Sequence, residues 1–271
     1  MTKTILITGS TDGIGLETAK LLVSQGHRVL LHGRNPTKLE VAAKSFSALP
    51  DSVETYVADL SRITDVASLA QAVAKNHPTL DILINNAGVF KTPNTVTPEG
   101  LDVRFVVNAI APYLLTQQLR PLMTPSGRIV NVSSAAQSPV NLEALTGRVQ
   151  LTEDFTAYAQ SKLALTMWSR RLALSPQGDG LTIIAVNPGS MLGSKMVKEG
   201  FGVAGGDLRI GADILTRAAL ADEFTAASGQ YFDNDKGQFA SPHTDALDPQ
   251  KCQKVVDAME AILEILKNKH G

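Results

Sequence analysis

The chain has a single cysteine, Cys252, so neither an intrachain disulfide nor a multi-cysteine metal site can form. Its five histidines, His27, His32, His77, His243 and His270, show no metal-ligand spacing, and no metal is expected. There is no excess of either charge: Lys plus Arg number 25, Asp plus Glu 26, and the net charge is -1. That balance argues against a general nucleic-acid binder and against a polybasic membrane-surface protein. No run of 18 apolar residues occurs, so no membrane span is expected. The first residues enter a strand pattern at once and lack the apolar stretch of a secretory leader. The expectation is a soluble protein of a reducing, cytoplasmic compartment. Linkers rich in Gly, Ser or Pro are missing, as are repeats, so residues 1–271 are expected to form one domain.

What is present is alternation. Strand-like runs fall at 4–8, 28–32, 53–58, 80–85, 128–133, 182–187 and 229–232. Several are near-continuous Ile, Val and Leu, as in strands buried on both faces of a parallel sheet. Helical periodicity fills the gaps: Leu39, Ala42, Ala43 and Phe46 share one face, as do Ile63, Val66, Leu69, Ala70 and Val73. A final helix is expected from Asp248-Pro249, an N-cap followed by a proline at the first helical position, with Val255, Val256, Met259, Ile262, Leu263 and Leu266 on one stripe. On that stripe Cys252 reads as a small core residue. The pattern predicts a doubly wound α/β fold with seven parallel strands and helices on both faces. Segments 135–154 and 190–208 are longer than the alternation needs, and are expected to be substrate loops.

Thr8-Gly9-Ser10-Thr11-Asp12-Gly13-Ile14-Gly15 follows the first strand and opens the first helix. Gly9 permits a tight turn, Gly13 lets backbone approach a phosphate, and Gly15 lets the helix pack close to the sheet. The helix N-terminus offers N–H groups and partial positive charge to a pyrophosphate. Without a ligand, the same glycines would make an ordinary turn. At the end of the second strand, Leu31-His32-Gly33-Arg34 contains no acid to hold a ribose 2′-hydroxyl, and Arg34 suits a 2′-phosphate. This favours NADP with NAD possible, although Asp12 in the turn argues the other way.

Tyr158 and Lys162 stand four residues apart and share a helical face. A tyrosine that exchanges a proton near neutrality must lower its pKa by about 3 units, roughly 4 kcal/mol. One nearby cation supplies about 1–3 units, so Lys162 alone is marginal and an oxidised nicotinamide would add to it. Trp168, ten residues on, reads as packing.

Together with these residues, Asp59-Leu60, Asn85-Asn86-Ala87-Gly88, Asn108, Val132-Ser133-Ser134 and Asn187-Pro188-Gly189 occur in one order along the chain. In this the sequence resembles the short-chain dehydrogenases/reductases over nearly its whole length. It is most similar to the branch of retinol dehydrogenases, the WW-domain oxidoreductase and protochlorophyllide reductases, on the long Ser134–Tyr158 spacing and the ending Ser228-Gly229-Gln230-Tyr231-Phe232.

The resemblance implies a Rossmann-type fold and catalytic roles for Asn108, Ser134, Tyr158 and Lys162. Tyr158 would be the general acid/base and Lys162 would hold the nicotinamide ribose. Ser134, rather than Ser133, would bind the substrate oxygen, and Asn108 would support the geometry and a water-linked proton path. It also implies cofactor contacts at Gly9, Ser10, Thr11, Asp12, Gly13, Ile14, Gly15, Arg34, Asp59, Leu60, Asn86, Ala87, Gly88, Pro188, Gly189 and Met191. The family's usual Thr after Pro-Gly is replaced by Gly193, followed by Ser194. Ser194 substitutes for it after a one-residue shift, or the contact is lost and the loop is more mobile without ligand. Segment 190–208 is expected to close over substrate as a lid.

The expected activity is hydride transfer between NADP(H) and a small-molecule carbonyl or alcohol. A non-catalytic NADP(H)-binding sensor or scaffold, and an epimerase or dehydratase, are alternatives on the same fold. The resemblance also makes a homodimer or homotetramer possible, through the helices beginning near Glu99 and carrying Tyr158.

Overall fold

The computed structural model describes residues 1–175 and 180–270. Its strands are β1 (Thr4–Ile7), β2 (Arg28–Gly33), β3 (Val53–Val57), β4 (Leu80–Asn85), β5 (Met123–Val132), β6 (Thr182–Asn187), β7 (Tyr231–Asp233) and β8 (Gln238–Ala240). The helices are α1 (Gly13–Ser24), α2 (Pro36–Lys44), α3 (Ile63–Asn76), α4 (Val103–Phe105), α5 (Ala111–Leu119), α6 (Leu142–Leu145), α7 (Asp154–Ala173), α8 (Lys195–Phe201), α9 (Leu208–Leu220) and α10 (Pro249–His270). Residues Val106–Ile110 join α4 to α5 through a wide π turn.

The strands form one sheet in the order β3-β2-β1-β4-β5-β6-β7-β8. The first seven are parallel, as the alternation predicts, but there is an eighth, paired antiparallel to β7. The chain reverses through residues 234–237, with Gly237 at φ 65°. A three-residue strand is too short to carry a period-2 signal, and sequence reading therefore ends one strand early.

Alternation within the strands sorts the core. Ile5, Ile7, Val29, Leu31, Ile82, Ile84, Val130 and Ile184 face α1 and α9. Their neighbours Leu6, Leu30, Leu83, Ile129 and Ile183 face α3 and α5. Each strand is thus apolar on both sides because both sides are covered. In α3, Val66, Leu69, Ala70 and Val73 are the buried face, as their spacing predicts. The Asp248 carboxylate accepts the N–H groups of Gln250 (2.9 Å) and Lys251 (3.1 Å), which starts α10 at Pro249.

A third cluster lies outside this sandwich. Cys252, Val255, Val256, Met259, Ile262 and Leu266 of α10 pack with Leu163, Met167 and Trp168 of α7 and with Ala144 and Leu145 of α6. Tyr113 on α5 donates to the Glu260 carboxylate at 2.6 Å, and its ring meets Trp168 edge-on at 5.6 Å. Trp168 and Cys252 are core residues, as expected. The two lengths of chain beyond the alternation, the 135–154 connection and the C-terminal helix, therefore cover each other. Part of the connection expected to touch substrate is instead a packing element, because its own apolar residues, Ala144 and Leu145, need a partner surface. Arg104 anchors its far end: fully buried, it donates to both oxygens of Asp102 (2.8 and 2.6 Å) and to Asp154 (2.6 Å). Among the described residues no helix is long and apolar enough to cross a membrane.

Candidate active site

The carboxyl ends of β1, β4, β5 and β6 open on one side of the sheet. Beside β1 the strand order reverses direction, since β2 lies to one side and β4 to the other. That is where open α/β sheets leave a crevice.

The glycine turn 9–15 forms one wall. Gly9 has φ 66°, and a Cβ there would stand 2.8 Å from the Ala87 Cα. A Cβ on Gly15 would collide with the Gly9 carbonyl oxygen and the Asn86 amide. These close approaches bring α1 and the β4 end together. Asn86 locks them, its Nδ2 donating to the carbonyls of Thr8 and Gly9, both at 2.9 Å. The Thr8 hydroxyl accepts the N–H groups of Asn86 (3.0 Å) and Ala87 (3.1 Å). Ser10 faces inward: its N–H donates to the His32 carbonyl at 2.9 Å, and its hydroxyl donates to Ile7 while accepting the His32 N–H. Of the turn residues at the start of α1, Asp12 is exposed, Thr11 and Gly13 are half-buried and Ile14 packs on the core, and Asp12 caps that helix with backbone only.

His32, bland in sequence, is the residue that sequence reading misses here. It is 2% exposed. Its Nδ1 accepts the Gly9 N–H at 3.1 Å, and its Nε2 donates to the Ala58 carbonyl at 3.1 Å. One neutral ring thus ties the glycine turn to the ends of β2 and β3. Burial lowers its pKa to about 4. The available signal was a polar residue at the end of an otherwise apolar buried strand.

Arg34 is exposed just past β2. The Asp59 carboxylate accepts from the Ser61 N–H (3.0 Å) and hydroxyl (2.8 Å), and Leu60 is buried in the core with Tyr56 and Val66. Pro188 and Gly189 are held by the β7–β8 turn: Asn234 donates to the Pro188 carbonyl at 2.9 Å, and the Asn187 amide donates to Asp233 and Asp235. Met191 is exposed at φ 55°.

Opposite the glycine turn, α7 brings up Tyr158 and Lys162. The Lys162 Nζ is buried, donates to the Val132 carbonyl at 2.7 Å, and lies 5.7 Å from the Tyr158 ring centre. Burial lowers its pKa to about 8. Burial also raises the Tyr158 phenol, and a hydrogen bond with the Ser134 side chain opposes that rise. From the sequence, Lys162 alone is marginal for drawing the phenol toward neutrality. In the fold desolvation is the largest effect on both groups, and the ammonium is turned to a backbone carbonyl. Tyr158 therefore stands as a protonated donor.

Ser133 turns away: its hydroxyl pairs with Thr166 at 2.7 Å. Ser134 faces Tyr158, as β-strand alternation requires of one of the two. Asn108 sits in the π turn and is buried. It donates to the Val89 carbonyl and the Ser161 hydroxyl, both at 2.9 Å, and accepts the Val89 N–H at 2.8 Å. Such turns recur at functional sites. This one fixes the β4 end against α7, and Gly88 lies between, so that a Cβ there would meet Asn108 Oδ1 at 3.4 Å and Lys162 Nζ at 3.5 Å.

Segment 190–208 crosses the mouth of the crevice. Gly193 donates to the Gly206 carbonyl at 2.7 Å, and Gly206 to the Met191 carbonyl at 2.8 Å. A Cβ on Gly193 would stand 2.9 Å from the carbonyl oxygens of Ala204 and Gly206. The missing threonine thus leaves room for a backbone crossing that laces the neck of the loop. Ser194 caps α8 by accepting the Val197 N–H at 3.3 Å. A Cβ on Gly13 would meet only Ser194, at 4.0 Å. Beyond the neck, Phe90 packs on Tyr158 (5.3 Å) and Phe155 (6.5 Å), and the Met196 methyl reaches the neighbourhood of Gly88. Neither Phe90 nor Met196 stands out in the sequence. Among the described residues no cluster of three His, Cys, Asp or Glu could hold a metal.

Comparison with known proteins shows the family and the fold. Residues 3–202 match the family model described as short chain dehydrogenase. Retinol dehydrogenase 13 of Mus musculus is 32% identical over 90% of this chain and 79% of its own length. Retinol dehydrogenase 12 of Homo sapiens is 34% identical, over 89% and 80%. Among solved structures, an uncharacterized protein from Mycobacterium paratuberculosis superposes with a TM-score of 0.82 at 28% identity, covering 97% of this chain and 93% of the other. A short chain dehydrogenase from Shigella flexneri complexed with NADP superposes at 0.67 with 28% identity, over 86% and 97%.

Proposed function

The chain belongs to the short-chain dehydrogenase family, and from that premise we propose that it is an NADP(H)-dependent oxidoreductase acting on a carbonyl/alcohol pair. One observation carries the reading: Tyr158, Lys162, Ser134 and Asn108, distant in sequence, converge at one end of the crevice, with the glycine turn at the other. The residues fit a dinucleotide. Gly9 and Gly15 let the turn pack against Ala87 and itself, Gly13 leaves open space where a Cβ would meet only Ser194 at 4.0 Å, and the first turn of α1 has no side-chain cap to compete with a phosphate. Residues 11–15 would hold the pyrophosphate and Arg34 a 2′-phosphate. Asp59 and Leu60 would border the adenine and Asn86–Gly88 would pass behind the adenosine ribose, while Pro188, Gly189, Met191 and Lys162 would flank the nicotinamide end. When bound, the nicotinamide supplies or accepts the hydride.

The chain's own residues do the rest. Tyr158, protonated, donates to the substrate oxygen in reduction and recovers the proton in oxidation. Lys162 is charged below pH about 8 and favours release of that proton from the phenol. The Ser134 hydroxyl fixes the substrate oxygen beside Tyr158. Asn108 holds the β4 end and α7 in register, and Phe90 and Met196 keep water from the phenol. Segment 190–208 is the lid that closes over substrate.

The test is a panel of carbonyl compounds with NADPH and with NADH, followed by loss of reduced-cofactor absorbance. Turnover with NADPH preferred is expected. Tyr158→Phe should lower kcat by about 10²–10⁴-fold and leave cofactor binding intact. Full activity in that variant refutes the role of Tyr158. Cofactor binding without turnover of any carbonyl or alcohol would point to a binding protein.

A further inference from the structure

Ser134 lies two residues beyond the end of β5, where strand pairing no longer holds the chain. Its carbonyl is nevertheless held by two side chains, one from β7 and one three residues on. The Tyr231 hydroxyl on β7 donates to it at 3.1 Å, and the Gln137 Nε2 donates to it at 3.0 Å. Gln137 is itself fixed, because its Oε1 accepts the His243 N–H at 3.1 Å, just beyond β8. Its amide also stands against the Tyr231 hydroxyl. On the far side of the same residue, the Ser134 hydroxyl accepts the Ala136 N–H at 3.1 Å. Tyr231 is 5% exposed, and burial pushes its phenol up, so it remains a donor throughout the working pH range.

From this geometry we propose that Tyr231 and Gln137 are positioning residues that clamp the Ser134 peptide and so aim the Ser134 hydroxyl at the substrate oxygen. The inference rests on the reaction proposed above. Its physical content is simple. A peptide at a strand end can rotate about its flanking bonds. Two donors on its carbonyl, Tyr231 from β7 and Gln137 held by the chain just beyond β8, remove that freedom. A serine that must contact the substrate oxygen at hydrogen-bond distance gains from being held before substrate arrives. The eighth strand thereby acquires a function: it carries the chain to His243, which orients Gln137.

Three variants test it. Tyr231→Phe keeps the ring and removes one donor. Loss of one neutral hydrogen bond corresponds to a fall in kcat of roughly 5- to 10-fold, with the cofactor dissociation constant unchanged. Gln137→Ala should act similarly. Gln137→Glu replaces the donor with a carboxylate, which repels the carbonyl when ionised and donates again when protonated. Its kcat relative to the wild type should therefore recover as pH falls from 7.5 to 5. A merely structural residue would not give that rescue.

A second readout needs no turnover: amide hydrogen exchange over residues 134–137 should quicken in Tyr231→Phe, while exchange in the glycine turn 9–15 stays as in the wild type. Lower kcat, faster local exchange and acid rescue together support the clamp. Unchanged kcat in Tyr231→Phe overturns it, as does unchanged exchange. If the wild type turns over no carbonyl or alcohol, the proposed reaction fails and exchange alone decides whether the clamp exists.

Discussion

His32 gives the sharpest quantitative test of how the cofactor turn is built. Its ring accepts the Gly9 N–H through Nδ1 and donates to Ala58 through Nε2. A second proton would occupy Nδ1, break the bond to Gly9 and bury a charge. Burial accordingly lowers its pKa from 6.5 to about 4. Because the folded value lies below the unfolded one, the neutral ring's contribution is present above pH 6.5 and is lost as pH falls through 4. A gap of 2.5 units corresponds to about 3.4 kcal/mol when fully developed. At pH 5 linkage gives about 2 kcal/mol already lost. The perturbation is His32→Asn, which keeps an acceptor near the Nδ1 position and cannot titrate.

Urea unfolding of both proteins at pH 7.5 and pH 5 is the assay. Carboxylates titrate alike in the two and cancel in the difference. The wild type should lose about 2 kcal/mol more than the variant between the two pH values. Equal losses would show that His32 is not buried neutral against Gly9, and the account of the turn would fall with it.

Other outcomes follow from the same structure. Lys162, held to about 8 by burial, should make kcat/KM of the wild type fall as pH rises through about 8, since that parameter reports the free enzyme; a flat profile to pH 9.5 refutes it. Arg104→Met leaves the Asp102 carboxylate buried without its partner, which should cost about 3–5 kcal/mol and lower Tm by about 6–20 °C. Adding Asp102→Asn should restore most of that loss, and a double variant as unstable as the single one refutes the ion-pair account. Limited proteolysis should cut segment 190–208 more slowly with NADPH and substrate bound than without; equal rates refute a closing lid.

Much of this was legible in the sequence for a physical reason. Strands buried on both faces are continuous apolar runs, and helices that cover them show a 3.6-residue stripe, so β1 to β7, α3 and α10 could be located directly. Asp248-Pro249 announces its helix because a cap and a first-turn proline act locally. The glycine turn is legible for the same reason. The 135–154 connection was harder to interpret: its length marks it as unusual, but what covers Ala144 and Leu145 lies about 110 residues away in α10. Oligomer formation through α7 was expected, and in the fold α10 lies on that helix.

The layers, the position of the glycine turn and the Tyr158–Lys162 pair are set by neighbours within a few residues and can be read from local patterns. How those groups are charged and aimed depends on distant parts of the fold. Burial keeps the Tyr158 phenol protonated and brings Lys162 down to about 8. Gly9 finds its acceptor in His32, and the Ser134 carbonyl finds its donors in Tyr231 and Gln137. Desolvation and hydrogen-bond partners depend on what the rest of the chain places nearby, and that is not written within any one segment.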